Sequence, residues 1–192
     1  MSTRVLVDAN VLFSRTLRDW LCLLYLESDT FFSVYWTEDI VAEVIYRLRR
    51  QHPDWPGHKV VGIRDKICET FEGGRVDDFV PDGSFPGTDA NDAHVHAAAI
   101  ACSATILLTG DAGFSAPGVA ENLPYEVYSP DEFFVLVDDS SPEKVIAVTE
   151  TQQSYWLQRH DRCNLPRKLT AAGCPNFAER VLAHLQAIQA AS

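Results

Sequence analysis

Short apolar, β-rich runs alternate with stretches of helical periodicity as far as about residue 140, and that alternation leaves little choice of fold class. Arg4-Val5-Leu6-Val7 is the first such run, and it stops at Asp8. Phe31-Phe32-Ser33-Val34-Tyr35, Ala104-Thr105-Ile106-Leu107-Leu108 and Tyr125 to Ser129 read as strands too, with Arg75 to Val80 as a further candidate. Helices are expected between them over 9–27, from Thr37 to Arg50, over 58–72 and over 89–102. Strands alternating with helices predict an α/β fold built on a small, mostly parallel sheet. Beyond residue 140 the pattern is helical only, with breaks at Asn164-Leu165-Pro166 and Gly173-Cys174-Pro175. The expected organisation is therefore a domain over 1–138 and a helical extension over 139–192.

Local signals fix some boundaries. Thr37 is placed to cap a helix whose first turn carries Glu38 and Asp39 and whose last carries Arg49 and Arg50. Pro53, Pro56 and Gly57 break the chain, and Pro130 suits the first position of a helix.

Composition narrows the function classes without choosing among them. Hydrophobic residues make up 46% of the 192, enough for one continuous core, so extensive disorder is excluded. No apolar stretch approaches the roughly 18–20 residues of a membrane helix. The N-terminal residues show no signal-peptide cleavage site, and five irregularly spaced cysteines do not resemble a secreted disulfide scaffold. A cytoplasmic location is the expectation. The net charge of −11 argues against a generic nucleic-acid binder, which is usually basic. The charge is unevenly spread, however: residues 150–192 carry five Lys/Arg against three Asp/Glu. An acidic cluster that binds a cation also reverses its own local field.

The informative acids sit at element ends. Asp8 and Asp111 each follow an apolar run, and in open α/β sheets ligands bind outside the carboxyl ends of the strands. Glu43 lies inside the helix after Thr37, and Asp92 near the start of the helix after Asp89. Taken singly, each has an ordinary reading: Asp8, Asp89 and Asp92 as helix caps, Glu43 as a solvent-facing residue, Gly110-Asp111 as a turn. Gathered together, four carboxylates repel one another and suit a hard divalent cation that wants oxygen ligands. Without a Ser or Cys nucleophile pattern, such a set points to metal-assisted hydrolysis.

These residues resemble the motifs of the PIN-domain ribonucleases. Val5-Leu6-Val7-Asp8-Ala9-Asn10-Val11-Leu12 is similar to the family's opening motif, apolar–Asp–x–Asn–apolar–Leu. Glu43 follows 35 residues after Asp8, where the family places its helical acid. Asp89-Ala90-Asn91-Asp92-Ala93-His94 and Thr109-Gly110-Asp111-Ala112-Gly113-Phe114 resemble the third and fourth motifs. The resemblance covers about residues 3–135. It implies a three-layer PIN-like fold and an endoribonuclease dependent on Mg²⁺ or Mn²⁺, with Asp8, Glu43, Asp92 and Asp111 as catalytic and metal-binding acids. Asn10 and Thr109 would be polar supports and Asp89 a possible fifth acid. It further implies a VapC-type toxin, a homodimer neutralised by a cognate protein antitoxin, acting on an RNA such as tRNA or rRNA.

Two other functions compete. A haloacid-dehalogenase-like phosphatase also opens with a strand ending in Asp, but that family resembles Asp-x-Asp where this chain has Asp8-Ala9-Asn10, and no second acid follows Gly110-Asp111. A catalytically inert PIN-like scaffold that binds RNA or protein is the non-enzymatic alternative. His94 and His96, two apart on a helix, point in different directions and read as structural or surface residues. His160, Cys163 and Cys174 lack the close spacing of a zinc site. Arg47, Arg49 and Arg50 read equally as phosphate contacts or as a basic helix end. The four tryptophans are expected in the core.

Overall fold

The structure is a computed structural model that describes residues 3–27, 31–159 and 164–191. The chain divides into two compact units, one of Met1–Arg15 with Thr30–Ser129, the other of Thr16–Asp29 with Pro130–Ser192.

The first unit is an α/β layer. Its strands are β1 (Thr3–Val7), β2 (Phe32–Tyr35), β3 (Ile106–Leu108) and β4 (Glu126–Tyr128), in the order β2-β1-β3-β4 and all parallel. Val5 pairs with Val34 on one side and Ile106 on the other, which makes β1 a central strand. Val5, Leu6 and Val7 are all completely buried. That explains the unbroken apolar run, because a parallel strand covered on both faces has no wet side to alternate with. The ladder continues past the strands: Asp8 N–H donates to the Leu108 carbonyl (3.0 Å) and Thr109 N–H to that of Tyr128 (3.0 Å). The strand order reverses between β1 and β3, and the carboxyl ends of strands at such a switch point are where open α/β sheets bind their ligands.

Helices α1 (Ala9–Phe13) and α2 (Arg15–Glu27) stand where one helix over 9–27 was expected. Ser14 leaves helical geometry at ψ 117°, a break open to a residue whose hydroxyl competes for backbone hydrogen bonds. Helix α3 (Glu38–Gln51) starts as expected, with the Thr37 hydroxyl accepting from Ile40 N–H at 3.1 Å. Helix α4 spans Gly57–Thr70. The strand expected at 75–80 does not form. Arg75 pairs with Trp36 through a single isolated bridge, and after buried Val76 the chain runs through exposed Asp77 and Asp78 with no strand assigned beside it. The helix expected over 89–102 is shorter: Asp89 caps a 3₁₀ turn (Ala90–Asp92), and α5 (Ala93–Ala101) follows.

The second unit is helical: α2, α6 (Pro130–Ser140), α7 (Pro142–Leu157), α8 (Leu165–Ala171) and α9 (Pro175–Ala191). The boundary expected near residue 138 falls inside α6. Its core is aromatic, with Trp20 edge-on to Phe177 at 5.0 Å and Phe134 at 5.1 Å from Phe177. Buried Asp131 accepts from Asn176 N–H (3.2 Å) and Phe177 N–H (2.8 Å), setting a carboxylate on the amide-rich first turn of α9. Burial first, and Asp131 second, push the Cys174 thiol up to about 12. No helix among the described residues is long and apolar enough to cross a membrane.

Candidate functional site

The sheet edge at the ends of β1 and β3 carries a closed polar network. Asp8 is 7% exposed; its Oδ1 accepts from Ala9 N–H (2.5 Å) and its Oδ2 from Asn10 Nδ2 (2.6 Å) and the Thr109 hydroxyl (2.7 Å). Thr109 Oγ1 in turn accepts from Asn10 Nδ2 (2.9 Å) and Asp111 N–H (3.0 Å). Asn10 Oδ1 accepts from Gly110 N–H at 2.9 Å. A hydroxyl has one donor and two acceptor sites, so Thr109 is fully used. The network ties Asp8-Ala9-Asn10 to Thr109-Gly110-Asp111 and holds the Asp8 carboxylate in one orientation. Asp8 therefore serves as the cap of α1 and as a fixed acid at the crevice together.

The other expected acids lie around it. Asp111 Oδ1 accepts from Gly113 N–H at 2.7 Å. A Cβ at Gly113 would meet that oxygen at 3.1 Å and Asp92 Oδ2 at 3.3 Å. The Asp92 and Asp111 carboxylates thus converge on one glycine, and a side chain there would separate them. Glu43 pairs with Arg47, one turn along α3, at 2.5 Å. Asp89 is exposed and turned toward Asn91, whose backbone and side-chain N–H groups it accepts at 2.8 and 2.9 Å.

Charge shows the cluster more plainly than distance does. The Asp92 carboxyl is pushed up to about 6, first by desolvation and then by the negative charges of Asp111, Asp89, Asp8 and Glu43. Burial also raises Asp8, against the hydrogen bonds from Thr109 and Ala9 that favour its charged form, with Glu43 adding a smaller push upward. As the side chains stand, no three His, Cys, Asp or Glu among the described residues form a group that could hold a metal ion. In that arrangement Glu43 is paired with Arg47, and both Asp8 oxygens accept hydrogen bonds from within the chain. The donor chemistry itself fits a hard divalent cation, since every member is a carboxylate and their mutual repulsion is what a cation relieves.

The Glu43–Arg47 pair went unread in the sequence, although a Glu and an Arg four apart on a helix commonly pair and the spacing was the signal for it. His96 had no such signal. It is buried one turn along α5 from Asp92, with Nδ1 2.8 Å from the Tyr125 hydroxyl and Phe85 packed beside it at 5.5 Å. Only the fold brings residues 85, 96 and 125 together. His94 has a buried Nδ1 with no hydrogen-bond partner. His160 and Cys163 lie outside the described residues, so the zinc reading has no structural description.

Burial lowers the His96 pKa below its usual 6.5, which gives a pH prediction. The unfolded chain takes up this proton first, so stability from neutral His96 is complete above pH 6.5 and is lost as pH falls below it. Between pH 7 and 5, the wild-type Tm should fall further than that of His96→Gln. Parallel melting curves for the two proteins would contradict this.

No curated protein and no solved structure gives a match to the chain. The family model described as "PIN domain" matches residues 4–113, more than half of the chain, spanning Asp8, Glu43, Asp92 and Asp111. PIN domains are generally nucleases. The parallel sheet, the polar network at its carboxyl edge and this match together establish that the chain belongs to the PIN-domain family.

Proposed function

We propose that the protein is an endoribonuclease dependent on Mg²⁺ or Mn²⁺, and that it is the toxin of a toxin–antitoxin pair. The observation that supports the first part is the approach of the Asp92 and Asp111 carboxylates to the same glycine, Gly113, in a PIN domain, with Asp8, Asp89 and Glu43 close enough for their charges to raise Asp92 as well. Asp8, Asp92 and Asp111 would hold the ion, joined by Glu43 once it leaves Arg47. A bound divalent ion supplies Lewis acidity, activating water and offsetting charge on a transferring phosphoryl group. Asn10 and Thr109 orient Asp8, Gly113 leaves room between Asp92 and Asp111, and Arg47 balances Glu43 until it is needed. The toxin role, a homodimer and a cognate antitoxin rest on the resemblance of the motifs to VapC-type proteins.

The test is cleavage of total bacterial RNA by the purified protein with Mg²⁺ or Mn²⁺, and with EDTA. Discrete products that vanish with EDTA are expected. Absence of cleavage under every condition, together with no saturable Mn²⁺ binding by calorimetry, would replace this reading with the inert scaffold. For the toxin role, induced expression in bacteria should arrest growth, and unchanged growth would remove it.

A further inference from the structure

The turn between α3 and α4 carries a basic and aromatic surface that the reading above leaves unused. Between Glu43 and Asp65 the chain holds one acid, Asp54, against Arg47, Arg49, Arg50, Lys59 and Arg64, in a protein whose net charge is −11. Trp55 is not a core residue, as its hydropathy suggests; it is half-exposed and stacked flat on His52, with centroids 3.8 Å apart and planes within 2°. The Lys59 ammonium sits 3.4 Å from the Trp55 centroid, necessarily on the face that His52 leaves uncovered. Arg49 donates to the Trp55 carbonyl at 2.7 Å, which pins this turn to α3, and Arg50 leans over exposed Tyr46 at 5.7 Å.

Three features give this surface a direction. It is rigid, because the stack and the Arg49 bond fix Trp55 before any ligand arrives. It is cationic where the rest of the unit is acidic, so a polyanion approaching the crevice meets attraction here first. It is continuous with the candidate site, since Arg47 pairs with Glu43 and Gln51 lies two helical turns from Glu43.

We propose that His52, Trp55 and Lys59, with Arg50, form a platform for an unpaired stretch of RNA flanking the cut site. Lys59 is exposed, and base stacking on an aromatic ring is stronger than an exposed cation–π contact. A base takes the Lys59 face of Trp55, and the displaced ammonium meets the neighbouring phosphate. His52 holds the ring from behind. A flat aromatic pair with a cation on its open face suits a strand of bases and phosphates better than it suits an acidic peptide, which has no planar groups to stack. The choice of RNA as ligand rests on the ribonuclease reading.

The test is fluorescence anisotropy of a labelled single-stranded oligoribonucleotide with the full chain, in EDTA to prevent cleavage. Trp55→Ala should weaken binding about tenfold, the size of one lost base stack, and Trp55→Phe should restore most of it. Lys59→Ala and Arg50→Ala should each lower the slope of log K against log salt by about 0.7. A fully paired duplex should be insensitive to Trp55→Ala. In cleavage assays Trp55→Ala should raise KM with kcat unchanged. Unaltered binding in Trp55→Ala and Lys59→Ala, or in Arg50→Ala should Trp55→Ala fail to fold, overturns the proposal. So does an oligoglutamate peptide that displaces the RNA more effectively than unlabelled RNA of equal charge, which would mark a protein-docking surface. Platform-dependent RNA binding by a protein that neither cleaves RNA nor binds Mn²⁺ would sink the ribonuclease reading and leave the RNA-binding platform standing.

Discussion

Replacing Asp8 by Asn is expected to cut RNA cleavage by more than about a hundredfold while the protein stays folded. Loss of a single outer-shell partner of a metal ligand typically costs about 10- to 100-fold, and Asp8 stands closer to the centre than that. One variant beside it sets the scale. Thr109→Val, which removes a donor to Asp8 Oδ2, should fall within the outer-shell range, because Asn10 still holds the same oxygen. Asp8→Asn removes the charge itself. The fold should survive for a physical reason: Asp8 is buried and its pKa raised, so its ionised form carries a desolvation cost that an amide lacks. Asn keeps an acceptor for Ala9 N–H, and because its amide nitrogen would take the place of the oxygen that accepts from Asn10 and Thr109, the rearrangement is confined to those two side chains. The measurement pairs a melting curve with initial cleavage rates in Mn²⁺. Full activity in a folded Asp8→Asn protein would remove Asp8 from the chemistry.

Asp8 was legible because two independent signals met there, a saturated apolar run and the acid that ends it. The run is saturated because β1 lies between two parallel neighbours, and the acid stands where β1 and β3 end side by side. Thr37 was legible for a local reason, since a cap needs only its own next three residues. What escaped reading depends on partners distant in sequence. Trp55 reads as core by hydropathy, and only the turn after α3 reveals that it lies on His52 at the surface. His96 reads as either a structural or a surface residue, and only Tyr125, 29 residues later, decides for the structural role by closing against it. Residues 75–80 have the pattern of a strand, but Val80 remains 79% exposed because no neighbour covers it. The coupling among the acids lies between these cases. Their positions follow from motifs, whereas their mutual repulsion appears only once β1, α3, α5 and the turn after β3 are placed together.

Gly74→Ala should be the most damaging small substitution in the first unit. A Cβ at Gly74 would stand 1.8 Å from the Val34 carbonyl oxygen and 2.9 Å from its carbon. Both atoms are backbone of β2, so no rotamer can relieve the overlap and the strand or the 71–76 segment has to move. That segment is the outer partner of β2. Trp36 N–H donates to the Gly74 carbonyl (3.0 Å), Val76 N–H to that of Trp36 (2.9 Å), and the Trp36 indole to that of Phe71 (2.8 Å). Overpacking alone costs about 1–3 kcal/mol, and each buried hydrogen bond lost adds about 1 kcal/mol. A loss of about 3 kcal/mol or more lowers Tm by roughly 10 °C in a chain of this size. Gly73→Ala is the control, because its Cβ would have nothing within 4 Å and should leave Tm nearly unchanged. The functional consequence follows from chain order: β2 leads through Trp36 to the Thr37 cap and so to the helix bearing Glu43. Any Gly74→Ala protein that still folds should therefore bind Mn²⁺ more weakly while the Asp8–Asn10–Thr109 network stays intact. Wild-type melting in Gly74→Ala would mean that residues 71–76 do not pack against β2 as closely as described.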